Sequence, residues 1–143
     1  MADFKNLIVW QKAHELTLAI FRSCEGIKGS PGTIVRDQLL RSIMSIASNI
    51  AEGSAKQSDR EFARYVRISL GSSTESENHL LLAGDLGLIE PAEFETLNEQ
   101  VADVRKMLNG LVKKLVADAE KPVPRFRRQQ NADSSRRSQT AGV

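Results

Sequence analysis

Between residues 94 and 115 the chain places apolar side chains at Phe94, Leu97, Val101, Val104, Leu108, Leu111 and Leu115, in alternating steps of three and four. That spacing follows the α-helical period and puts all seven residues on one face. Val112 and Val116 widen the stripe beyond a bare two-in-seven seam. Pro91 suits the first turn of this helix, and Glu90 and Glu93 are favourable near its positive end.

The same period recurs upstream. Val9, Ala13, Leu16, Ile20 and Ile27 form one stripe, flanked by Trp10 and Phe21, which predicts a helix over about residues 7–26. Gly26, Gly29, Ser30, Pro31 and Gly32 end it. Thr33 is placed to cap a second helix with the stripe Leu39, Ile43, Ile46 and Ile50, closed by Gly53. Ser58 and Glu61 have the spacing of a capping box that opens a third helix running toward Gly87. Its seam reads Phe62, Val66, Ser69, Ser73, Ser76, Leu80 and Ala83, small and polar in the middle, so a neighbouring backbone can come close. Leu70, Leu81 and Leu82 add apolar surface beside it, and Gly84 and Gly87 loosen its end.

No alternating strand pattern and no solenoid-length repeat occurs. The expected fold is all-α, an antiparallel up-down-up-down four-helix bundle over residues 1–119. From residue 120 the chain turns basic and poor in apolar residues, and 120–143 reads as a disordered basic C-terminal tail. That tail holds six Lys or Arg against Glu120 and Asp133, which leaves 14 basic and 16 acidic residues in 1–119. The body is therefore mildly acidic. Within it, residues 75–103 carry eight acids and no Lys or Arg.

No apolar run approaches the roughly 18 residues that a membrane-spanning helix needs. The start, Met1-Ala-Asp-Phe-Lys, lacks a signal-peptide pattern, and a single cysteine, Cys24, allows no intramolecular disulfide. A cytoplasmic location is expected. Chemistry for catalysis is missing from the pattern. The two histidines, His14 and His79, lie in different segments, and no spacing resembles a zinc site or the Glu-x-x-His of bundle di-iron proteins. Glu75 and Glu77 face different directions on a helix. Gly71-Ser-Ser-Thr-Glu lacks the ending of a phosphate loop. No enzyme activity, metal or cofactor is expected.

Two constellations remain. Lys56, Arg60, Arg64 and Arg67 are spaced by four, four and three, so that on one helix they share a face and can track a phosphate backbone. Arg41, and Arg36 beyond it, extend the patch from the second helix. The plain alternative is a solvated face pairing with Glu52, Asp59 and Glu61. The corner Ser45, Ser48, Asn49, Glu52, Gly53 and Ser54 reads as stitching between helices, with Asn49 and Glu52 bonding to backbone near Gly53. Trp10 is either a core anchor or a partly exposed interface residue.

Val9-Trp10-Gln11-Lys12-Ala13, Gln38-Leu39-Leu40-Arg41 and Ser45-Ile46-Ala47-Ser48-Asn49-Ile50-Ala51-Glu52-Gly53, in that order, resemble the small bacterial proteins encoded in 23S rRNA intervening sequences. Phe62, Gly71-Ser72, Glu75 and Leu86-Gly87 continue the likeness, which covers about residues 4–115. The resemblance implies a four-helix bundle assembled as a ring-shaped homopentamer. It also implies kinship with the accessory variability protein of diversity-generating retroelements, which has a basic surface and binds nucleic acid and a reverse transcriptase. By the same resemblance the matching basic positions are Lys12, Arg41, Lys56, Arg60 and Arg64. The acidic body and the Arg-rich tail depart from the family pattern. Two functional readings follow: a module binding structured RNA, such as rRNA, through a local basic patch, and an oligomeric scaffold whose partner is another protein.

Overall fold

The computed structural model describes residues 3–122, and within them the chain forms four long helices and no strand. A short 3-10 helix, Phe4–Asn6, is capped by the Asp3 carboxylate and leads into α1 (Ile8–Cys24). Then come α2 (Gly32–Ser54), α3 (Asp59–Asp85) and α4 (Pro91–Ala119). From residue 123 onward, the expected basic tail lies outside the described residues.

Neighbouring helices run antiparallel. Ser42 meets Ser76 and Ser45 meets Ser72, so residue number falls along α3 as it rises along α2. Gly84 abuts Phe94 while Glu77 binds Arg105, which gives α3 and α4 the same relation. Ser23 donates to Glu93, and Lys12 shares a groove with Met107, so α1 also runs against α4. This is the up-down-up-down bundle.

The stripes supply the core. Leu16, Ile20, Leu39, Ile43, Ile46, Ile50, Val66, Leu80, Val101 and Leu108 are fully buried, each stabilising by about 1.5–3 kcal/mol relative to exposure. On α3 the buried position is Ala63, with Phe62 only half-buried beside it, so the seam runs one residue from the expected start. Leu81 and Leu82 stay largely exposed. The most extensive interfaces join α2 to α3 and α3 to α4, while α1 makes smaller ones with α2 and α4. No helix among the described residues is long and apolar enough to cross a membrane.

Several ends differ from expectation for local reasons. Thr33 does not cap α2. Pro31 holds the cap position with φ −86°, and the Thr33 amide already donates to Gly29 O at 3.0 Å, so the helix starts two residues earlier. Ser58 does cap α3, its hydroxyl accepting from the Glu61 amide at 3.1 Å, but among the described residues only this half of the capping box forms. Gly87 ends α3 rather than loosening it. At φ +71° it lets the Leu88 amide reach Ala83 O at 2.9 Å and its own amide reach Gly84 O at 3.0 Å, a Schellman closure. Gly84 serves packing, since a Cβ there would meet the Phe94 ring at 3.0 Å.

The α2–α3 interface is lined by hydroxyls. Ser42, Ser69, Ser72, Ser73 and Ser76 are all buried. Ser69 Oγ donates to Ile46 O at 2.8 Å, Ser76 Oγ to Ser42 Oγ at 3.0 Å, and the Ser45 and Ser72 hydroxyls bond at 2.8 Å. Asn49 turns back to Ser45, donating to its carbonyl at 2.8 Å and its hydroxyl at 3.0 Å, instead of closing the end near Gly53. Each buried hydroxyl thus has a partner, which removes the desolvation cost of roughly 1–3 kcal/mol for an unpaired one. At the outer rim Arg41 binds Glu75, whose Oε1 also lies 3.4 Å from His79 Nε2. Burial acts to raise the Glu75 pKa, but the hydrogen bonds and charges of Arg41 and His79 outweigh it and hold the carboxyl below its ordinary 4.5.

Two outcomes test this packing. A Cβ at Gly53 would stand 2.6 Å from Tyr65 Cβ and 2.8 Å from the Phe62 ring, whereas one at Gly71 meets nothing within 4 Å. Urea unfolding is expected to show Gly53→Ala destabilised by about 1–3 kcal/mol and Gly71→Ala unchanged or stabilised by up to about 1 kcal/mol. An unchanged midpoint for Gly53→Ala would contradict so close a helix pair. The second outcome concerns pH. Because the folded Glu75 pKa is depressed, its stabilisation is present above about pH 4.5 and is lost as pH falls through the folded value. The stability advantage of wild type over Arg41→Gln should therefore exist at neutral pH and vanish in acid; an advantage that persists in acid assigns Arg41 a different role.

Candidate nucleic-acid interface

The corner between α2 and α3 is built by chain termination on one side and capping on the other. α2 ends at Ser54, the Lys56 amide closes a turn onto Gly53 O at 3.1 Å, and Ser58 starts α3. Lys56 therefore sits in the connection, not on the helix. The single face expected for four cations holds for Arg60, Arg64 and Arg67, all exposed on α3.

Lys56 nevertheless rejoins them through Tyr65. Its Nζ lies 5.1 Å from the Tyr65 ring centroid, and Arg64 Cζ lies 4.8 Å from the same centroid. Gly53 makes this possible, because the absence of a side chain lets Tyr65 seat against α2. Each cation–π contact is worth about 0.5–1 kcal/mol at an exposed site, enough to hold two long side chains in place without consuming their charge. Arg60 and Arg67 turn to the other side and line a shallow cavity with Ala63 of α3 and Val116, Ala119 and Glu120 at the end of α4. None of Lys56, Arg60, Arg64 and Arg67 forms an ion pair among the described residues, so the local pairing with Glu52, Asp59 and Glu61 that the plain alternative invoked is not seen there.

The remaining candidates lie apart. Arg41 is engaged by Glu75 and by Gln38 Oε1 at 3.1 Å. Arg36 donates to Ile27 O at 3.0 Å and pairs with Asp37, joining the α1–α2 connection to α2. Lys12 pairs with Glu15 at 3.4 Å and borders a groove that also contains Asp103 of α4. Four cations thus gather at one end of the bundle, while Lys12 and Arg41 are matched by acids elsewhere. Arg105 binds Glu77 between α3 and α4, a pairing that spacing along the chain does not reveal.

Groups for covalent chemistry are not assembled. Cys24 is buried, and burial pushes its thiol up to about 11, with the Arg36 charge opposing and Glu93 adding to the rise. A thiol so held is a poor nucleophile. Among the described residues no three His, Cys, Asp or Glu side chains converge as metal ligands would.

Trp10, open in the sequence between core anchor and interface residue, is half-buried and joined to exposed His14. Their rings stack with centroids 4.8 Å apart and planes 12° from parallel, and Phe4 meets Trp10 edge-on at 5.0 Å. The spacing of Trp10 and His14, one helical turn apart, is the signal for it.

A solved structure shares this fold. It is a protein of unknown function from the S23 ribosomal protein family of Bacteroides thetaiotaomicron VPI-5482, with a TM-score of 0.66, 26% identity, and coverage of 74% of this chain and 99% of that one. The chain matches no curated protein. Residues 5–110 match the family described as 23S rRNA-intervening sequence protein, a span that includes the serine-lined α2–α3 interface and the Tyr65 corner. The chain belongs to the 23S rRNA-intervening sequence protein family.

Proposed function

We propose that this protein binds structured RNA, with rRNA as the leading candidate, through the cationic corner at the α2–α3 end, and that it acts without catalysis. The observation that carries the reading is the set of four cations, Lys56, Arg60, Arg64 and Arg67, that form no ion pair among the described residues, on a body that is acidic overall. A phosphate backbone is the ligand such a local set suits, since each contact releases counterions. Arg64 stands beside Tyr65 while Arg60 and Arg67 border the α4 side, so the cations present charge across a surface rather than at one point. Lys12 and Arg41, being paired, contribute to the surrounding field instead of gripping phosphate.

The working unit in this proposal is a homo-oligomer in the cytoplasm, a pentamer by family resemblance. Exposed Leu81, Leu82 and Leu86 at the opposite end of α3 favour a protein-covered surface there. Repeating a four-cation patch around a ring would multiply a weak affinity through effective concentration. The same apolar surface favours a second reading, in which the contact is with a different protein and no nucleic acid is bound.

The test is a salt titration of the full-length protein with 23S rRNA fragments. With about four phosphate contacts, affinity should fall roughly 10²-fold between 50 and 200 mM salt. Arg60→Glu with Arg64→Glu should weaken binding at least about tenfold and flatten that slope. Unchanged binding by the double variant removes the corner from the interface, and a chain shortened to residues 1–122 shows how much affinity the basic tail supplies. Isolation of the protein with a protein partner and free of nucleic acid supports the second reading.

A further inference from the structure

A second feature lies at the same end of the bundle as the cations. α1 begins where α2 ends, and between them runs a groove of about 290 Å³. Phe4, Trp10 and His14 form one wall; Met44, Ser48 and Ala51 form the other. Trp10 is half-buried and anchored to the core, but His14, Met44 and Ser48 are exposed, with Met44 at 51%. His14 itself lies outside the core that Ala13, Leu16, Ile43 and Ile50 form below it.

We propose that this groove receives an unpaired nucleobase, making the ligand a strand with at least one unstacked nucleotide beside the phosphates held at the corner. This deepens the nucleic-acid reading above and rests on it. Trp10 and His14 stack face to face, with Phe4 edge-on to Trp10, and a base is the planar group that can extend this stack from the exposed His14 ring. The opposite wall is low and adaptable. Ala51 has little bulk, and the Met44 thioether moulds to an aromatic face. Ser48, whose hydroxyl bonds its own helix at Met44 O, leaves an acceptor at the rim. The placement relative to charge decides between a base and an apolar peptide. α2 ends at Ser54, three residues after Ala51, and Lys56 follows in the connection, so a strand with its base in the groove passes over that end of α2 toward Lys56 and Arg64. Glu52, exposed on the intervening turn, disfavours a phosphate there, so the crossing is made with few backbone contacts.

Trp10 is the sole tryptophan of the chain, so its emission reports directly on the groove. The experiment titrates the full-length protein with an unstructured single-stranded oligoribonucleotide and, separately, with a perfect RNA duplex of the same length. The expected result is quenching of Trp10 by the single strand and binding of the duplex without quenching. His14→Ala, at an exposed position, should weaken the single strand at least about fivefold and leave the duplex within about twofold. Single-strand binding that leaves Trp10 emission unchanged and is indifferent to His14→Ala overturns the base pocket while the corner stands as the interface. Equal quenching by the duplex also overturns it, because paired bases cannot enter. An emission change that follows protein concentration without any RNA assigns the groove to a second copy of this chain and overturns it. Failure of either RNA to bind at low salt removes the nucleic-acid reading and this inference together.

Discussion

Helices α2 and α3 meet along a face of hydroxyls, and the three bonds that cross it, Ser69 to Ile46 O, Ser76 to Ser42 and Ser45 to Ser72, form together at one register. Sliding α3 by a turn would leave Ser69 facing something other than Ile46 O and would separate Ser42 from Ser76. Small side chains let the backbones approach, and the approach in turn forbids large ones. The same register seats Tyr65 against Gly53 and carries Arg41 to Glu75. The corner cations therefore owe their position to polar contacts in the middle of the interface, several turns away.

The apolar stripes were readable because core burial imposes a 3.6-residue period, and Leu39, Ile43, Ile46 and Ile50 obey it without exception. The small-polar seam of α3 was readable for a related reason: a run of serines at core positions makes sense only against a near neighbour. Other features depend on geometry between segments that spacing does not encode. Lys56 continues the arithmetic of the ladder, yet Ser58 caps the helix after it, so local termination overrides the count. Thr33 had the right chemistry for a cap but lost the position to Pro31. Arg41 looked like part of a basic patch until the register matched it with Glu75, and Arg105 with Glu77 arises in the same way from α3 against α4.

Charge is distributed along the axis of the bundle. The α3–α4 connection brings Asp85, Glu90, Glu93 and Glu95 to one end, and the α2–α3 connection brings Lys56, Arg60 and Arg64 to the other. In the proposed function this separation of charge would orient an approaching polyanion before contact. The acidic end also holds Leu81, Leu82 and Leu86, so the surface suited to burying apolar area is the one that repels nucleic acid. In the proposed function, separating the two would keep a protein contact and an RNA contact from competing for the same ground.

The uneven helix interfaces carry a consequence for the order in which this bundle comes apart. α2, α3 and α4 share the extensive contacts, and α1 is held by less. Releasing α1 therefore breaks the fewest tertiary contacts, which makes it the helix expected to detach before global unfolding. The aromatic groove has one wall on that element and the other on the firmer trio. An occupant of the groove would act as a clasp, pinning the outermost helix to the rest, so that occupancy and the rigidity of α1 become one quantity.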